Sequence, residues 1–413
     1  MDTMKKARRA VLGACIALFA NMGLNSTFSV FLPSFTAQWG EENLATIALS
    51  ATFGCIMTFL CTTFLFSALL KKTQPRVVFL LCGVIAVVYC LLCSFASGIW
   101  MIILAGLFGG INLAFGTHAM GVATITPYFG SYGAKVSTII ALVLASASVG
   151  ATAFSFLPGA LLAVMAWRKV YLVIMAVVLV LNVLAYVMIP KQGASETGAA
   201  AAVQEDTVPG LSKKQAIGTP SFWLVFFGIL FLAISYLGIS TYMPSLLTTF
   251  GMTQSTASAM QGVMQGVGIL FVFLGGTISS KLGVKGLILF TVVPLVVGAL
   301  LYALVYPNLA VIWLAVICSV LCVTGAMTSN ICPVITATLF GNKDLNAINP
   351  IFSGGAFWGG AALATQVIGR IITATGSFSK GYITAAGICV VGMVLLFAAL
   401  AANPMKKAVN PSK

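Results

Sequence analysis

The chain has 413 residues, of which 60% are hydrophobic and only 7% are charged, whereas roughly 25% of the residues of a soluble domain are charged. A water-exposed surface cannot be built from this composition, which excludes a soluble enzyme or binding domain and indicates an integral membrane protein. The formal net charge of +14 would favour a nucleic-acid partner in a soluble protein. In a membrane chain it reflects topology instead, and we expect no nucleic-acid partner.

Twelve apolar segments are long enough to cross a bilayer as helices, since about 20 residues span about 30 Å of hydrocarbon. They lie at 10–32, 45–69, 77–97, 99–126, 136–158, 169–189, 221–246, 255–280, 286–306, 309–336, 348–373 and 380–402, with short loops between them. Helices satisfy their own backbone groups in lipid, and the segments are too long for barrel strands. We therefore predict an all-α polytopic membrane protein with twelve transmembrane helices.

The two halves of the chain repeat one pattern at a spacing of 211 residues. The matching landmarks are Pro33-Ser34 and Pro244-Ser245, Gly40 and Gly251, and Phe129-Gly130 and Phe340-Gly341. Repeated sets of membrane spans are typical of secondary transporters. The repeat predicts two pseudo-symmetric six-helix halves at 1–189 and 221–413, joined by a polar, Gly- and Ala-rich linker at 190–220.

The basic residues lie almost entirely on one side if every span crosses the bilayer. That side holds Lys5, Lys6, Arg8, Arg9, Lys71, Lys72, Arg76, Lys135, Lys191, Lys213, Lys214, Lys281, Lys285, Lys343, Lys406 and Lys407, and the other side only Arg168, Lys169 and Lys380. By the positive-inside rule, both termini and the linker are cytoplasmic. We expect a multi-pass protein of the plasma membrane, or of the cell inner membrane, that acts as a monomer.

Cysteine and acidic side chains give little support for a cofactor. All ten cysteines fall inside apolar spans, where they act as small apolar residues, so we predict no disulfide framework, metal site or other cofactor. None of the seven acidic residues lies within a span. Carriers driven by protons or sodium commonly hold an intramembrane carboxylate, so the sequence favours exchange, facilitated diffusion or coupling through His118.

A small-residue helix end followed by two basic residues occurs after the eighth span and, in degenerate form, after the second. The residues are Gly276, Lys281, Gly283 and Lys285, and in the first copy Lys72 and Arg76. This pattern resembles the loop motif of the major facilitator superfamily, which is associated with gating. The first copy lacks the glycines and the acidic residue of that motif.

Five further segments are similar to the branch of that family that contains the oxalate/formate antiporter and the monocarboxylate carriers. They are Phe28 to Pro33, Thr219 to Trp223, Leu339 to Gly341, Thr375 to Phe378, and Trp167-Arg168. The resemblance covers the chain apart from the linker. It implies a carrier of small organic anions whose two halves alternate access to a central site.

Arg370 is the one strongly basic residue that we place inside a span, toward the outer end of the eleventh. Its planar fork of donors matches a carboxylate, although it can also reach the outer headgroups or helix-end carbonyls. The resemblance implies a clamp of basic residues on the eighth and eleventh spans for oxalate. The eighth span carries Gln261 and Gln265 instead, which favours a monocarboxylate-type or larger, mostly apolar acid; the glutamines can equally join helices.

Four further polar residues are candidates for hydrogen bonds to the substrate, because the resemblance implies that spans 1, 4, 7 and 10 line the cavity. They are Asn25, His118, Tyr236 and Asn330, and Trp358 is a candidate for an apolar wall. His118 can also serve as a proton relay or as a packed histidine. Membrane aromatics more often pack or face lipid, and glycines such as Gly354, Gly355, Gly359 and Gly360 first indicate close helix packing.

The sequence therefore predicts a secondary active or facilitative transporter of monocarboxylate-type organic anions, working as an antiporter or a uniporter. A proton-coupled carrier of neutral or drug-like molecules is the main alternative. A polytopic membrane enzyme would need clustered acids, histidines or a metal set, which the spans do not supply, so we predict no enzymatic activity. A sensor that binds its ligand without transport remains open.

Overall fold

The computed structural model of the protein describes residues 2–66, 69, 72–116, 118–129, 134–191, 210–305, 312–341, 343–344, 348–349 and 351–405. The described α-helices are α1 (Asp2–Trp39), α2 (Leu44–Ile47), α3 (Leu49–Leu60), α4 (Pro75–Ser94), α5 (Ile99–Phe115), α6 (His118–Phe129), α7 (Ala134–Leu162), α8 (Trp167–Met188), α9 (Lys213–Ile217), α10 (Pro220–Thr249), α11 (Gln254–Val305), α12 (Ile312–Cys322), α13 (Thr328–Phe340), α14 (Phe357–Thr375) and α15 (Phe378–Ala401). Tighter 3₁₀ turns occupy Glu41–Asn43 and Val323–Met327, and wider π-turns occupy Cys61–Leu65 and Ile351–Ala356.

The helices confirm the predicted all-α, polytopic class. Ten helical stretches in the described part are long and apolar enough to cross a membrane, and Ile99–Phe115 is a shorter apolar helix. Each of the twelve predicted spans falls on these helices, with two of them on α11. Most of the predicted linker, residues 192–209, lies outside the described residues.

The repeat of 211 residues is visible in the backbone. Helices α1 and α10 are each followed by a glycine with positive φ, 93° at Gly40 and 81° at Gly251. Such values are readily adopted only by glycine, so the same turn is specified twice. The starts of α8 at Trp167 and of α15 at Phe378 obey the same shift.

The fourth span of each half is interrupted, and the two interruptions lie at equivalent positions of the repeat. α5 ends at Phe115, where Gly116 leaves helical geometry with φ −90° and ψ 18°, and the shift of 211 residues relates Gly116 to Met327, the end of the 3₁₀ turn Val323–Met327. A 3₁₀ turn inside a long helix often marks a hinge or a functional position. The composition of these spans did not predict the break.

The expected loop between the eighth and ninth spans is reduced to one residue. α11 runs from Gln254 to Val305 and departs from helical geometry at Gly283, with φ 66° and ψ −170°. A positive φ there redirects the chain without a run of polar loop residues, because glycine carries no Cβ.

The described structure consists of two compact units. The first comprises Met1–Val203 with Met243–Gly266, and the second comprises Gln204–Tyr242 with Val267–Lys413. The end of α10 and the start of α11, which belong to the second sequence repeat, thus pack with the first unit.

The first unit depends on close approach of helix backbones. A Cβ at Gly106 would collide with the Ser50 carbonyl oxygen, and one at Gly110 would collide with that of Gly54. The Ser50 hydroxyl donates to the Ile102 carbonyl oxygen at 2.7 Å. These contacts join α3 and α5 through small residues, as is common in membrane helix pairs.

In the second unit, α14 lies against α10. The Tyr242 hydroxyl donates to the Thr365 carbonyl oxygen at 2.6 Å, and a Cβ at Gly360 would press on the Leu230 carbonyl oxygen. The start of α9 and the residues before it bind the end of α13 and the residues after it: the Leu211 amide donates to the Phe340 carbonyl oxygen at 2.8 Å, and the Lys213 amide donates to an Asp344 carboxylate oxygen at 2.7 Å.

Candidate functional site

Helix α14 has a packed face and an open face, and Arg370 lies on the open one. The buried residues Ala364, Thr365 and Ile368 lie on the side of the helix away from Arg370, since each residue turns the helix by about 100°. Arg370 is exposed, and no hydrogen bond or carboxylate partner is found for it in the described part of the chain. Its donors are therefore available to a ligand.

Gly359 extends this open face toward the start of α14. A Cβ at Gly354 or at Gly359 would meet no atom within 4 Å. Gly359 precedes Arg370 by about three turns and so lies on almost the same side of the helix. The packing interpretation thus holds for Gly360 but not for these two glycines, which leave space beside the helix.

The structure gives a reason for the asymmetry between Gly159 and Arg370, which the repeat relates to each other. On α7, a Cβ at Gly159 would collide with the Ser258 side chain of α11. Close packing excludes a large side chain at that position, whereas the equivalent position on α14 is open. Arg370 therefore has no charged counterpart at the equivalent position of the first half.

Tyr236 packs on the irregular segment Val323–Met327, and Asn330 follows that segment by three residues on α13. The Tyr236 ring lies on Gly325, where a Cβ would collide with it, and only 7% of Tyr236 is exposed. Asn330 donates from Nδ2 to the Val272 carbonyl oxygen at 2.6 Å, which leaves one amide hydrogen and the amide oxygen for other partners. Both residues are uncharged hydrogen-bonding groups next to a helix irregularity.

The other predicted binding residues are distributed over several helices. Asn25 is exposed on α1, Gln261 is buried and Gln265 half-buried on α11, and half-buried Trp358 makes an edge-to-face contact with Phe357 at 5.6 Å. His118 is the first residue of α6, and its side chain lies outside what the structure describes. Their shared role with Arg370 stays a prediction.

The residues of the predicted loop motif differ in their surroundings. Lys72, Lys281, Lys285, Gly276 and Gly283 are exposed. Arg76 instead is half-buried, and its guanidinium carbon lies 5.1 Å from the centre of the Tyr186 ring. Only Arg76 has a described side-chain partner, while Gly283 supplies the kink of α11.

A buried trio of asparagines was not predicted as a unit. Asn112 donates to the Asn21 amide oxygen at 3.0 Å, and Asn21 donates to the Asn182 amide oxygen at 3.0 Å. All three are buried, on α5, α1 and α8. A buried side-chain amide in an apolar span must find a hydrogen-bond partner. The presence of asparagine in each of three spans of the same half could therefore have indicated that the three bond to one another.

A second cluster that sequence reasoning missed surrounds Gln38. The Trp167 indole and an Arg168 Nη each donate to Gln38 Oε1 at 3.1 Å, and Arg168 also donates to the Ala96 carbonyl oxygen at 2.9 Å. The Trp167-Arg168 pair thus fixes the end of α1 against α8.

Gln254, also missed, bonds the start of α11 to α1. Its Nε2 donates to the Val30 carbonyl oxygen at 2.9 Å and to the Ser34 hydroxyl at 2.8 Å. This contact lies inside the first unit, although Gln254 belongs to the second sequence repeat. Any state in which the two repeats separate at this end must break these bonds.

Gln254→Ala is expected to loosen this contact, because its Nε2 donates the two bonds above, its Oε1 accepts a third from the Ser34 hydroxyl at 3.0 Å, and a neutral hydrogen bond contributes about 0.5–1.5 kcal/mol. Amide hydrogen exchange in residues 28–38 and 250–258 should become about 10-fold faster. Ser280→Ala, which removes a bond only to the same helix, is the control. Unchanged exchange in Gln254→Ala would show that the contact carries no stability.

Metal chemistry finds no support in the described residues. They contain no group of three or more histidine, cysteine, aspartate or glutamate side chains placed to hold an ion. The ten cysteines are free thiols.

Known protein families and solved structures were compared with this chain. Residues 14–362 match the Major Facilitator Superfamily. No curated protein sequence matches the chain. Among solved structures, a bacterial homologue of the human lysosomal transporter Spinster, inward-facing and occupied, is similar with a TM-score of 0.74 and 14% identity, covering 96% of this chain and 97% of that one. The nucleoside transporter NupG gives 0.72 and 15%, covering 95% and 98%.

These structural likenesses are at low identity and show the fold. The sequence match covers most of the chain, including Tyr236 and Asn330, and ends at residue 362, before Arg370. The function of that family is transport across membranes. The chain is a multi-pass membrane transporter that belongs to the Major Facilitator Superfamily.

Proposed function

We propose that this transporter carries small organic anions of the monocarboxylate type by alternating access, as an exchanger or a uniporter. The observation that carries the proposal is Arg370, an exposed guanidinium on the open face of α14 with no carboxylate partner among the described residues. A cation inside a membrane span is costly and is retained where it binds a partner. A carboxylate fits its parallel N–H donors.

The positions of the acidic residues support exchange or uniport over cation coupling. Glu41 and Glu42 form an exposed turn after α1, and Asp344 accepts a hydrogen bond from the Lys213 amide. Asp2 begins α1, and the remaining three acids lie in 192–209. None of the seven lies within a predicted span to hold a driving ion.

Orientation and assembly belong to the same proposal. The exposed cations Lys5, Arg8, Lys191, Lys213 and Lys343 support a plasma-membrane protein with both termini in the cytoplasm. We infer a monomeric transporter, since one chain contains both repeats.

Purified protein in liposomes loaded with unlabelled lactate tests the substrate class. We expect labelled lactate, pyruvate or a larger aromatic carboxylate to enter, faster with an internal counter-anion for an exchanger and equally without it for a uniporter. Protein-free liposomes and a labelled neutral sugar are the controls. Uptake of no carboxylate above the protein-free level would reject the proposal.

A proton-coupled carrier of neutral molecules is the second candidate, favoured by the uncharged groups of Tyr236 and Asn330 beside Val323–Met327. A pH jump across the same liposomes distinguishes the two. Accumulation of a neutral solute that follows the proton gradient and ignores counter-anions would favour this candidate.

A further inference from the structure

Two arginines are anchored on consecutive residues at the end of α8. Arg9 of α1 donates from Nη2 to the Val187 carbonyl oxygen at 3.1 Å. Arg76 of α4 lies over the ring of Tyr186, with 5.1 Å between its guanidinium carbon and the ring centre. Three helices of the first unit therefore bring two guanidinium groups to the same turn.

Most of the donors of these arginines remain available. A guanidinium has five N–H donors, and Arg9 uses one nitrogen for a helix-end carbonyl, a common position for arginine. The Nε of Arg76 is buried without a hydrogen-bond partner in the described part of the chain. An external acceptor cannot reach this buried Nε, so a ligand would be bound by the terminal nitrogens of the Arg76 guanidinium group, which are not buried.

Several exposed cations lie on the same helix ends among the described residues. Lys5 and Arg8 are exposed in the first turns of α1, Lys191 follows Val187 by four residues, and Lys72 precedes Arg76 by four. Among carboxylates whose side chains are described, Glu41 and Glu42 follow the other end of α1, and Asp344 belongs to the second unit. These exposed cations would attract an anion to this end of α8.

An apolar stripe leads away from the arginines along α8. Val180, Val183, Leu184 and Val187 are all exposed, and their spacing of three and four residues places them on one side of the helix. A cationic helix end next to an exposed aliphatic stripe suits a ligand with an anionic headgroup and an apolar chain. A small soluble anion has no apolar part that could contact the stripe.

We propose that the end of α8, with Arg9 and Arg76, binds an anionic phospholipid, the phosphate between the guanidinium groups and an acyl chain along the valine and leucine stripe. Arginines are suited to phosphate because they bind two oxygens at once. Basic sites between transmembrane helices recognise lipid headgroups on this principle. The site is separate from Arg370, which lies in the other unit.

Native mass spectrometry of the full-length protein, titrated with phosphatidylglycerol or phosphatidylcholine of equal chain length, tests the site. Phosphatidylglycerol should bind about 10-fold more tightly than phosphatidylcholine. Inorganic phosphate and glycerol phosphate at millimolar concentration should not displace it. Displacement by either soluble anion would show a free phosphate site and overturn the lipid assignment.

Matched variants locate the site. Arg9→Gln with Arg76→Gln should abolish the preference for phosphatidylglycerol, whereas Lys213→Gln with Lys214→Gln, which removes two exposed cations of the second unit, should keep it. The double variant Arg9→Lys with Arg76→Lys keeps both charges and similar side-chain lengths. It should lower the preference for phosphatidylglycerol severalfold, because lysine lacks the planar guanidinium that binds two phosphate oxygens at once. This variant tests the site if the double glutamine variant does not fold. An unchanged preference in either arginine pair would overturn the proposal.

Discussion

Arg370→Gln is expected to raise the concentration of organic anion that half-saturates exchange in liposomes by about 10- to 100-fold. A hydrogen bond to a charged group contributes about 1.5–3 kcal/mol, and each 1.4 kcal/mol is about tenfold in affinity. The open face of α14 gives Arg370 no other described partner, so its loss should act on the ligand and leave the fold intact. Initial exchange rates over a range of carboxylate concentrations measure the effect.

Two variants separate binding from general charge. Lys380→Gln removes one exposed cation near the start of α15 and should exchange as the unaltered protein does. Arg370→Lys keeps the charge but not the planar guanidinium, so its half-saturating anion concentration should lie between those of Lys380→Gln and Arg370→Gln. Full exchange by Arg370→Gln at low carboxylate concentration would show that this arginine only reaches the headgroups.

The repeat predicted the regular part of the fold because its matching positions include residues, such as glycine, that determine the local backbone conformation by themselves. Gly40 and Gly251 both adopt positive φ after a long helix, a conformation that glycine specifies by itself. The starts of α8 and α15, at Trp167 and Phe378, likewise obey the shift of 211 residues. These features depend on single positions, so comparison of the two halves was sufficient.

The candidate site was less predictable because it depends on contacts between helices. Hydropathy placed Arg370 in a span, but only the packing of Thr365 on α10 shows which face of α14 is open. The same limit applies to Gly354 and Gly360, which look alike in sequence although one meets no atom and the other meets a backbone carbonyl. Periodicity within one helix contains no information about its neighbours.

Gly106→Ala is expected to lower the free energy of unfolding by about 3 kcal/mol, a large effect for one methyl group. The new Cβ would collide with the Ser50 carbonyl oxygen, and backbone cannot move aside as a flexible side chain can. Separating α3 from α5 would also stretch the bond from the Ser50 hydroxyl to the Ile102 carbonyl oxygen. Overpacking of this kind costs about 1–3 kcal/mol or more, and a fall in the thermal unfolding midpoint of the purified protein measures it.

Gly387→Ala is the matched control, since a Cβ at that exposed position of α15 meets no atom within 4 Å. Alanine in a helix interior is favoured over glycine by about 0.5–1 kcal/mol, so this variant should unfold at an equal or higher temperature than the unaltered protein. The two substitutions are chemically identical and are expected to act in opposite directions. A similar shift for both would mean that helix propensity, and not the approach of α3 to α5, sets the stability at Gly106.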